Sequence, residues 1–420
     1  MLILACLLLF IAYCGYRRFQ SYFAPAVISP ASWGIVLLSY SILDHGMLEI
    51  SFKGIVVIAL WNFFLLLGVY LFCCTNIVRK SGTAFVLKQF NPWVRDLYYK
   101  VTILGLFPTL YISYKQVTSM LGDNFMFNLR MANTGTIKTE HEQGVFAYVY
   151  TFAFVSYLIE LYSFQKGEKK SRLVILFLIN MILALVTMAK SSFLFLLFTS
   201  LVLFMYKKRI SFKKILLLGV TTFLLMSSIQ LLRVGDDDGK GKVISDMLYS
   251  YVLGGVPALD QIVNSQMSSM YTGQNTLVFA DNIRRKLGLL KDSSKEYKHD
   301  ITEEGYLYTP YPTNVYTMIG PFWLDYSYGF VLFAFIIGAL AGYFYEIAMR
   351  DKKWAVILSA YFSCVLMLQF FGEYIFTNLS YLIQLVLLSL FAYKFPYIIK
   401  WHKSTSSLLH TTEKNILEPK

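Results

Sequence analysis

Apolar runs of helix length recur along almost the entire chain. A bilayer core of about 30 Å needs about 20 apolar residues in a helix, and backbone amides in lipid must bond within their own segment. The sequence therefore predicts an all-α polytopic membrane protein with about eleven transmembrane helices. The spans are predicted near residues 2–16, 26–43, 54–74, 101–117, 145–162, 173–188, 193–206, 215–231, 328–349, 354–371 and 375–393.

The composition agrees with this prediction, and the placement of charge adds an orientation. Hydrophobic residues make up 56% of the chain and charged residues only 15%, whereas soluble domains carry about 25%. A net charge of +13 raises the question of nucleic acid. However, the basic residues form short clusters between spans, which is typical of cytoplasmic loops facing anionic lipid. We therefore expect no nucleic-acid partner, an extracytoplasmic N-terminus and a cytoplasmic C-terminus.

The spacing of the spans predicts the domain organisation. Residues 1–232 hold the first eight helices, with a small outer loop near 118–144, and residues 233–327 form a large extracytoplasmic loop subdomain. Residues 328–393 hold the last three helices, and 394–420 form a cytoplasmic tail. Loops longer than about 12–15 residues are usually functional or disordered. Because the loop at residues 233–327 is rich in Tyr and apolar residues, we predict that it is functional rather than disordered.

All five cysteines fall in apolar runs, so the sequence predicts small buried hydrophobic side chains rather than disulfides or zinc ligands. They are Cys6, Cys14, Cys73, Cys74 and Cys364. The sequence also holds no P-loop, dinucleotide fingerprint, nucleophile elbow or HExxH motif. We predict no metal site and no cofactor.

Cations gather near the predicted outer ends of the spans, against the usual bias. They are Arg130, Lys190, Arg233, Arg284 and Arg285. A shared anionic ligand such as a lipid diphosphate would explain them, since guanidinium groups match phosphate oxygens. The alternative is that each cation reaches a lipid headgroup or pairs with a nearby acid.

Two lone acids, Asp325 and Glu373, are predicted at the same surface beside aromatic residues. Such surroundings desolvate a carboxylate and raise its basicity, as a general base for a sugar hydroxyl requires. For Asp325 the alternative is a helix N-cap or first-turn acid. For Glu373, in a short turn, the alternative is simple solvent exposure.

The stretch 309–329, "TPYPTNVYTMIGPFWLDYSYG", is rich in aromatic residues. Sugar rings stack on aromatic rings while tyrosine hydroxyls stay free to bond. We predict sugar binding by the non-helical part and its approach, namely Tyr308, Tyr311, Asn314 and Tyr316. An interfacial aromatic belt is the alternative. Such a belt accounts for Trp323 to Tyr328 better than for the residues before them, because prolines hold the earlier part of the stretch out of a helix.

Taken together, these features resemble the bacterial O-antigen or oligosaccharide repeat-unit polymerase (Wzy) family. The resemblance rests on the order of "NLR", "AKSSFL", "LLR", "YVLGGVPALD" and "TNVYTMIGPFWLDYSYG" between the predicted spans. It covers most of the chain. Family members often carry Arg in the "AKSSFL" hairpin, where this chain has Lys190.

The resemblance implies a C-type transmembrane glycosyltransferase of the bacterial inner membrane. Such an enzyme moves a growing glycan from undecaprenyl diphosphate onto another lipid-linked repeat unit with inversion, and needs neither nucleotide sugar nor metal. Arg130, Lys190 and Arg233 would stabilise the leaving diphosphate, and Asp325 or Glu373 would activate the acceptor hydroxyl. The implied partners are undecaprenyl-diphosphate-linked oligosaccharide, membrane lipids and, as a further candidate, a chain-length regulator.

Three other functions stay open at this point. An O-antigen ligase has similar topology and the same kind of donor. A flippase or other transporter would usually show paired halves and intramembrane charges, which this sequence does not. A glycosyltransferase using polyprenyl-phosphate monosaccharide would usually carry acids in its first outer loop, where this chain has only Asp44 and Glu49.

The cation prediction is tested by Arg130→Ala and Arg233→Ala. If these guanidinium groups stabilise the leaving diphosphate, each variant should reach normal abundance in the membrane yet make no long polymer. Gel electrophoresis of surface polysaccharide measures the chain length. Polymer of wild-type length in both variants would refute the assignment.

Overall fold

The protein is mostly helical in the computed structural model, which describes residues 1–73, 89–120, 125–134, 143–165, 167–187, 189–207, 249–265, 267–269, 271–289, 307–309, 312–350 and 352–395. The first eight helices are α1 (Leu2–Phe19), α2 (Pro25–Ile42), α3 (Phe52–Phe72), α4 (Pro92–Thr118), α5 (Phe125–Thr134), α6 (Tyr148–Ser163), α7 (Ser171–Thr187) and α8 (Lys190–Lys207). They are followed by α9 (Gly255–Asn264), α10 (Val278–Lys286), α11 (Ile319–Tyr326), α12 (Phe330–Met349), α13 (Lys353–Met367) and α14 (Leu379–Phe395). Short 3₁₀ or π turns lie at Gly144–Ala147, Tyr249–Leu253 and Ser327–Gly329.

Several helices are long and apolar enough to cross a membrane, which agrees with the predicted membrane-embedded class. Among the residues that the structure describes, five stretches meet both criteria of length and hydropathy: Leu2–Phe19, Pro25–Ile42, Phe52–Phe72, Gly144–Ser163 and Ile319–Met349. Four shorter apolar helices accompany them: Ser171–Thr187, Lys190–Tyr206, Lys353–Met367 and Leu379–Phe395. The predicted span 215–231 lies outside the described residues, and the number of eleven stays a prediction.

Local sequence signals explain where several helices begin. Ser51 caps α3, because its side chain accepts a hydrogen bond from the backbone of Gly54 at 3.1 Å. Asn91 caps α4 in the same way, with Pro92 in the first turn where no backbone donor is needed. In the described part of the predicted loop subdomain, α9, α10 and a two-residue antiparallel ladder of Leu307–Tyr308 with Pro312–Thr313 are found.

Helices α3 and α12 lie parallel and unusually close. Added Cβ atoms at Gly68 and Gly338 would fall on the backbone of Phe335 and Leu65, and one at Gly342 would lie 2.8 Å from the Val69 carbonyl oxygen. Small residues at such crossings let helix backbones approach within membranes. The glycine stripe thus fixes the register of the two helices at the centre of the bundle.

Charged residues cluster at one end of the bundle, where α4 and α7 begin and α6 ends. Arg95 forms a fork with buried Glu160 at 2.7 Å and also pairs with Glu168 at 3.3 Å, and Arg172 lies 3.7 Å from Glu160. Further basic residues beside predicted spans lie at this end as well. They include Arg18 over Tyr70, Arg350 paired with Glu346, and Lys353 over Phe90.

The close packing of α3 and α12 predicts a specific weak point. Gly338→Ala should destabilise the protein by about 1–3 kcal/mol, because the added methyl group meets backbone that cannot move independently of the helix. Denaturation of the purified protein in detergent measures this loss.

Gly372→Ala is the matched control, because its added methyl group would make only an ordinary 3.5 Å contact with Tyr374. It should change stability by less than about 0.5 kcal/mol. Equal losses in the two variants would show that the α3–α12 contact has no special role.

Candidate functional site

The opposite end of the bundle holds two adjoining cavities. The first, which we name the inner chamber, has a volume of about 270 Å³ and lies between α6, α7, α8, α13 and the start of α14. The second, the outer chamber, measures about 330 Å³ and is lined by the approach to α6, by α10 and by α14. Tyr150, Thr187, Asn378 and Tyr381 line both, so the chambers meet at these four side chains.

The lining of both chambers is neutral and rich in hydroxyl and amide groups. In the inner chamber the polar lining consists of Tyr150, Asn180, Thr187, Ser191, Ser192, Tyr361, Tyr374, Asn378 and Tyr381. The outer chamber adds Gln143, Thr151, Asn282, Thr377, Ser380 and Gln384. None of the described residues that line either chamber is charged. Such a surface suits a polyhydroxylated neutral ligand.

Glu373 is buried in the connection between α13 and α14, so the exposure expected in the alternative reading is wrong. Its Oε1 accepts backbone hydrogen bonds from Ile375 (2.7 Å) and Phe376 (2.9 Å), and its Oε2 accepts one from Thr377 (2.6 Å). Burial raises the pKa of Glu373, and these backbone donors oppose the rise. The carboxylate therefore shapes the turn that presents Thr377 and Asn378 to the chambers.

Asp325 lies at the C-terminal end of α11, which excludes the helix N-cap alternative. Its carboxylate oxygens accept hydrogen bonds from the Ser269 hydroxyl and from the backbone and side-chain amides of Asn275. They also accept hydrogen bonds from the backbone N–H (2.9 Å) and the hydroxyl (2.7 Å) of Thr276. These bonds fix the segment that leads into α10, whose first turn lines the outer chamber. The Asp325 carboxylate itself is surrounded by donors of its own chain.

Lys190 begins α8 next to Ser191, which lines the inner chamber, and is only 4% exposed. Its ammonium lies 3.8 Å from the centre of the Tyr251 ring, which stacks on Phe371 at 5.4 Å. Cation–π contacts of this kind stabilise a desolvated cation. The structure thus brings Lys190 close to the connection that carries Glu373.

The predicted arginines differ in their settings. Arg130 is half-buried on α5, beside Leu129, which packs with Val117 and Val186 at the same end of the bundle as the chambers. Arg284 is largely exposed on α10 and pairs with Asp281 at 3.4 Å. The backbone of Arg285 follows on the same helix. Arg233 lies outside the described residues.

The predicted sugar-binding stretch packs against α9 and the α13–α14 connection. Gln261 donates to the Tyr308 carbonyl oxygen at 2.7 Å, and Met318 donates to the Gln369 carbonyl oxygen at 2.7 Å. The Tyr308 side chain and Asn314 are exposed, whereas Tyr316 is half-buried. Tyr308, Asn314 and Tyr316 do not line the two chambers, and Tyr311 lies outside the described residues. Their sugar-binding role stays a prediction.

Sequence reasoning missed the residues where the chambers meet, and it also missed Asn180. Asn180 interrupts an apolar span, "VILFLINMILALV", and a polar residue inside a span is itself a functional signal. Tyr150, Thr187 and the pair Asn378 and Tyr381 come from three separate segments, so nothing in the sequence brings the three together. Among the described residues no group of three or more His, Cys, Asp or Glu side chains could hold a metal ion.

Comparison with protein-family models, with curated proteins and with solved structures found no match to this chain.

The buried Glu373 carboxyl predicts a pH-dependent stability. Its pKa in the folded protein lies above the ordinary 4.5, so the folded state binds this proton more tightly than the unfolded state does. Its contribution should be fully present below about pH 4.5 and lost as the pH rises through the folded pKa. The stability advantage of the wild type over Glu373→Gln should therefore shrink with rising pH, as measured by thermal unfolding in detergent.

Glu49→Gln, at an exposed position between α2 and α3, is the control and should reproduce the wild-type profile. Parallel pH profiles for the wild type and Glu373→Gln would contradict the prediction.

Proposed function

We propose that this protein is a membrane-embedded glycosyltransferase that polymerises undecaprenyl-diphosphate-linked oligosaccharide repeat units of an O-antigen or related surface polysaccharide. The observation that carries the proposal is the pair of chambers lined by hydroxyls, amides and aromatic rings beside the buried Lys190. The chambers lie at the end of the bundle opposite the basic clusters. Under the positive-inside rule the basic clusters would be cytoplasmic and the chambers extracytoplasmic. Repeat units would be joined on that side of the bacterial inner membrane.

In this proposal the protein has about eleven spans in a C-type arrangement. The acceptor hydroxyl oxygen attacks the anomeric carbon of the donor sugar from the face opposite the diphosphate. The bond from that carbon to the diphosphate oxygen breaks, and the electron pair leaves with the diphosphate. Lys190, Arg130 and Arg233 would stabilise this developing negative charge.

The proton of the acceptor hydroxyl needs a base, and Glu373 fits this role better than Asp325. The Glu373 carboxylate accepts fewer hydrogen bonds than that of Asp325, all from its own turn, and this turn carries Thr377 and Asn378 of the chamber lining. Its raised pKa also increases its basicity. The Asp325 oxygens accept six hydrogen bonds from Ser269, Asn275 and Thr276, so we assign Asp325 to positioning the segment before α10.

An O-antigen ligase is the second candidate, because the same cavity and cation would serve transfer of a lipid-linked glycan to a lipid A core. Both reactions share the donor chemistry and differ in the acceptor. A flippase is less well supported, because the described chamber linings carry no charged group on which a substrate ion could be coupled.

Deletion of the gene in its own bacterium should remove long polysaccharide and leave single repeat units on the surface. Restoring the wild-type gene should bring the long polymer back, as seen by gel banding. Complementation with Lys190→Met should not restore it, because the variant keeps the length of the side chain but lacks the charge for the leaving diphosphate.

The matched control is Lys115→Met, which removes an exposed lysine that also lies over a tyrosine ring, 5.8 Å from the centre of Tyr111. It should restore wild-type banding. A deletion strain without even single surface repeats would favour the ligase, and unchanged long polymer in that strain would refute both functions.

A further inference from the structure

The inner chamber contains two hydrogen-bonding groups that the described protein leaves unused. Asn180, which is 6% exposed, donates both amide hydrogens to the carbonyl oxygens of Ala153 (3.0 Å) and Leu176 (2.8 Å). Its Oδ1 accepts no hydrogen bond from the described residues. The Tyr381 hydroxyl, at the junction of the chambers, likewise has no hydrogen-bond partner among them. Because both residues line the chamber, the Asn180 Oδ1 and the Tyr381 hydroxyl can each bond a ligand group there.

The charged groups nearest the chambers lie outside their described lining. The Lys190 ammonium lies over Tyr251, and the Glu373 carboxylate bonds the backbone of its own turn. Asp281 on α10 accepts a hydrogen bond from the Tyr271 hydroxyl at 2.8 Å and forms an ion pair with Arg284. With Lys190 assigned to the diphosphate, a further charge on the sugar itself would be desolvated against a neutral lining, which is strongly unfavourable.

The walls of the inner chamber also have a distinct apolar side. Phe154, Leu183, Ala184, Phe195 and Leu196 form it, and the polar groups lie around them. A pyranose ring has the same division, with an apolar face of ring hydrogens and an edge of hydroxyls. An N-acetyl group adds a methyl for the apolar wall and an N–H for an acceptor such as Asn180 Oδ1.

From these observations we infer that the inner chamber is a subsite for a neutral sugar, preferably an N-acetylhexosamine. It excludes uronic acids and sugars with a free ammonium group. This inference rests on the proposed function, because it specifies which sugar of the repeat unit lies at the site of bond formation. Asn180 and Tyr381 are the specificity-determining residues.

The test uses purified full-length protein in detergent and three methyl glycosides with the same ring: the N-acetylglucosaminide, the glucuronide and the glucosaminide. Saturation-transfer NMR should show binding of the N-acetylglucosaminide, with little or none of the two charged probes. Asn180→Leu and Tyr381→Phe should each weaken that binding by about tenfold, the effect of losing one hydrogen bond.

Asn62→Leu is the matched control, since Asn62 is another buried asparagine whose Oδ1 has no partner in the described protein, and it does not line either chamber. It should bind the N-acetylglucosaminide like the wild type. Tyr381→Phe, which only removes a hydroxyl, keeps the test valid if Asn180→Leu does not fold.

Equal binding of the glucuronide, absence of binding by all three probes, or wild-type affinity in both variants would overturn the inference. These outcomes are independent of the gene-deletion result. Loss of long polymer on deletion together with any of them would leave the polymerase proposal standing and remove only the sugar assignment.

Discussion

Buried side chains that bond the backbone of non-helical segments hold together the end of the bundle where the chambers lie. A backbone amide away from water must find a partner, and irregular segments lack the regular pattern that supplies one in a helix. Glu373 satisfies three consecutive amides after α13, and Asp325 satisfies two before α10. Gln369 adds bonds to Ser29 at 2.8 Å and Trp61 at 3.1 Å. These bonds hold the connections that carry part of the chamber lining.

The two ends of the bundle are built on different physical principles. At one end, Arg95, Glu160 and Arg172 form an ion-pair network in which each buried charge has an opposite charge nearby. At the other end, the chamber linings are neutral, and the nearby acids are satisfied mainly by hydrogen bonds. The first arrangement clamps helices, whereas the second leaves room for a polar ligand. The close α3–α12 contact connects the two ends as a rigid element.

Much of the fold followed from the sequence, while the site followed only in part. Apolar runs of sufficient length predict helices because lipid allows little else, and most of the predicted spans coincide with helices of the structure. Glu373 and Lys190 were predicted because isolated charges near span ends are conspicuous; the structure places both near the chambers, and their roles stay predictions. The residues at the junction of the chambers were not predicted. Nothing in the sequence distinguishes Tyr150, Thr187, Asn378 and Tyr381, and they form a site only because the fold makes them neighbours.

The sequence by itself determined that this chain is a helical protein with several membrane-length segments and that its basic residues lie between them, because hydropathy and charge are properties of local stretches. Only the tertiary structure decided that Asp325 and Glu373 are buried against backbone amides, and that several distant segments enclose a neutral cavity. The physical reason is that burial and hydrogen-bond partners depend on which segments pack together, and residues separated by up to 231 positions, from Tyr150 to Tyr381, meet only after packing.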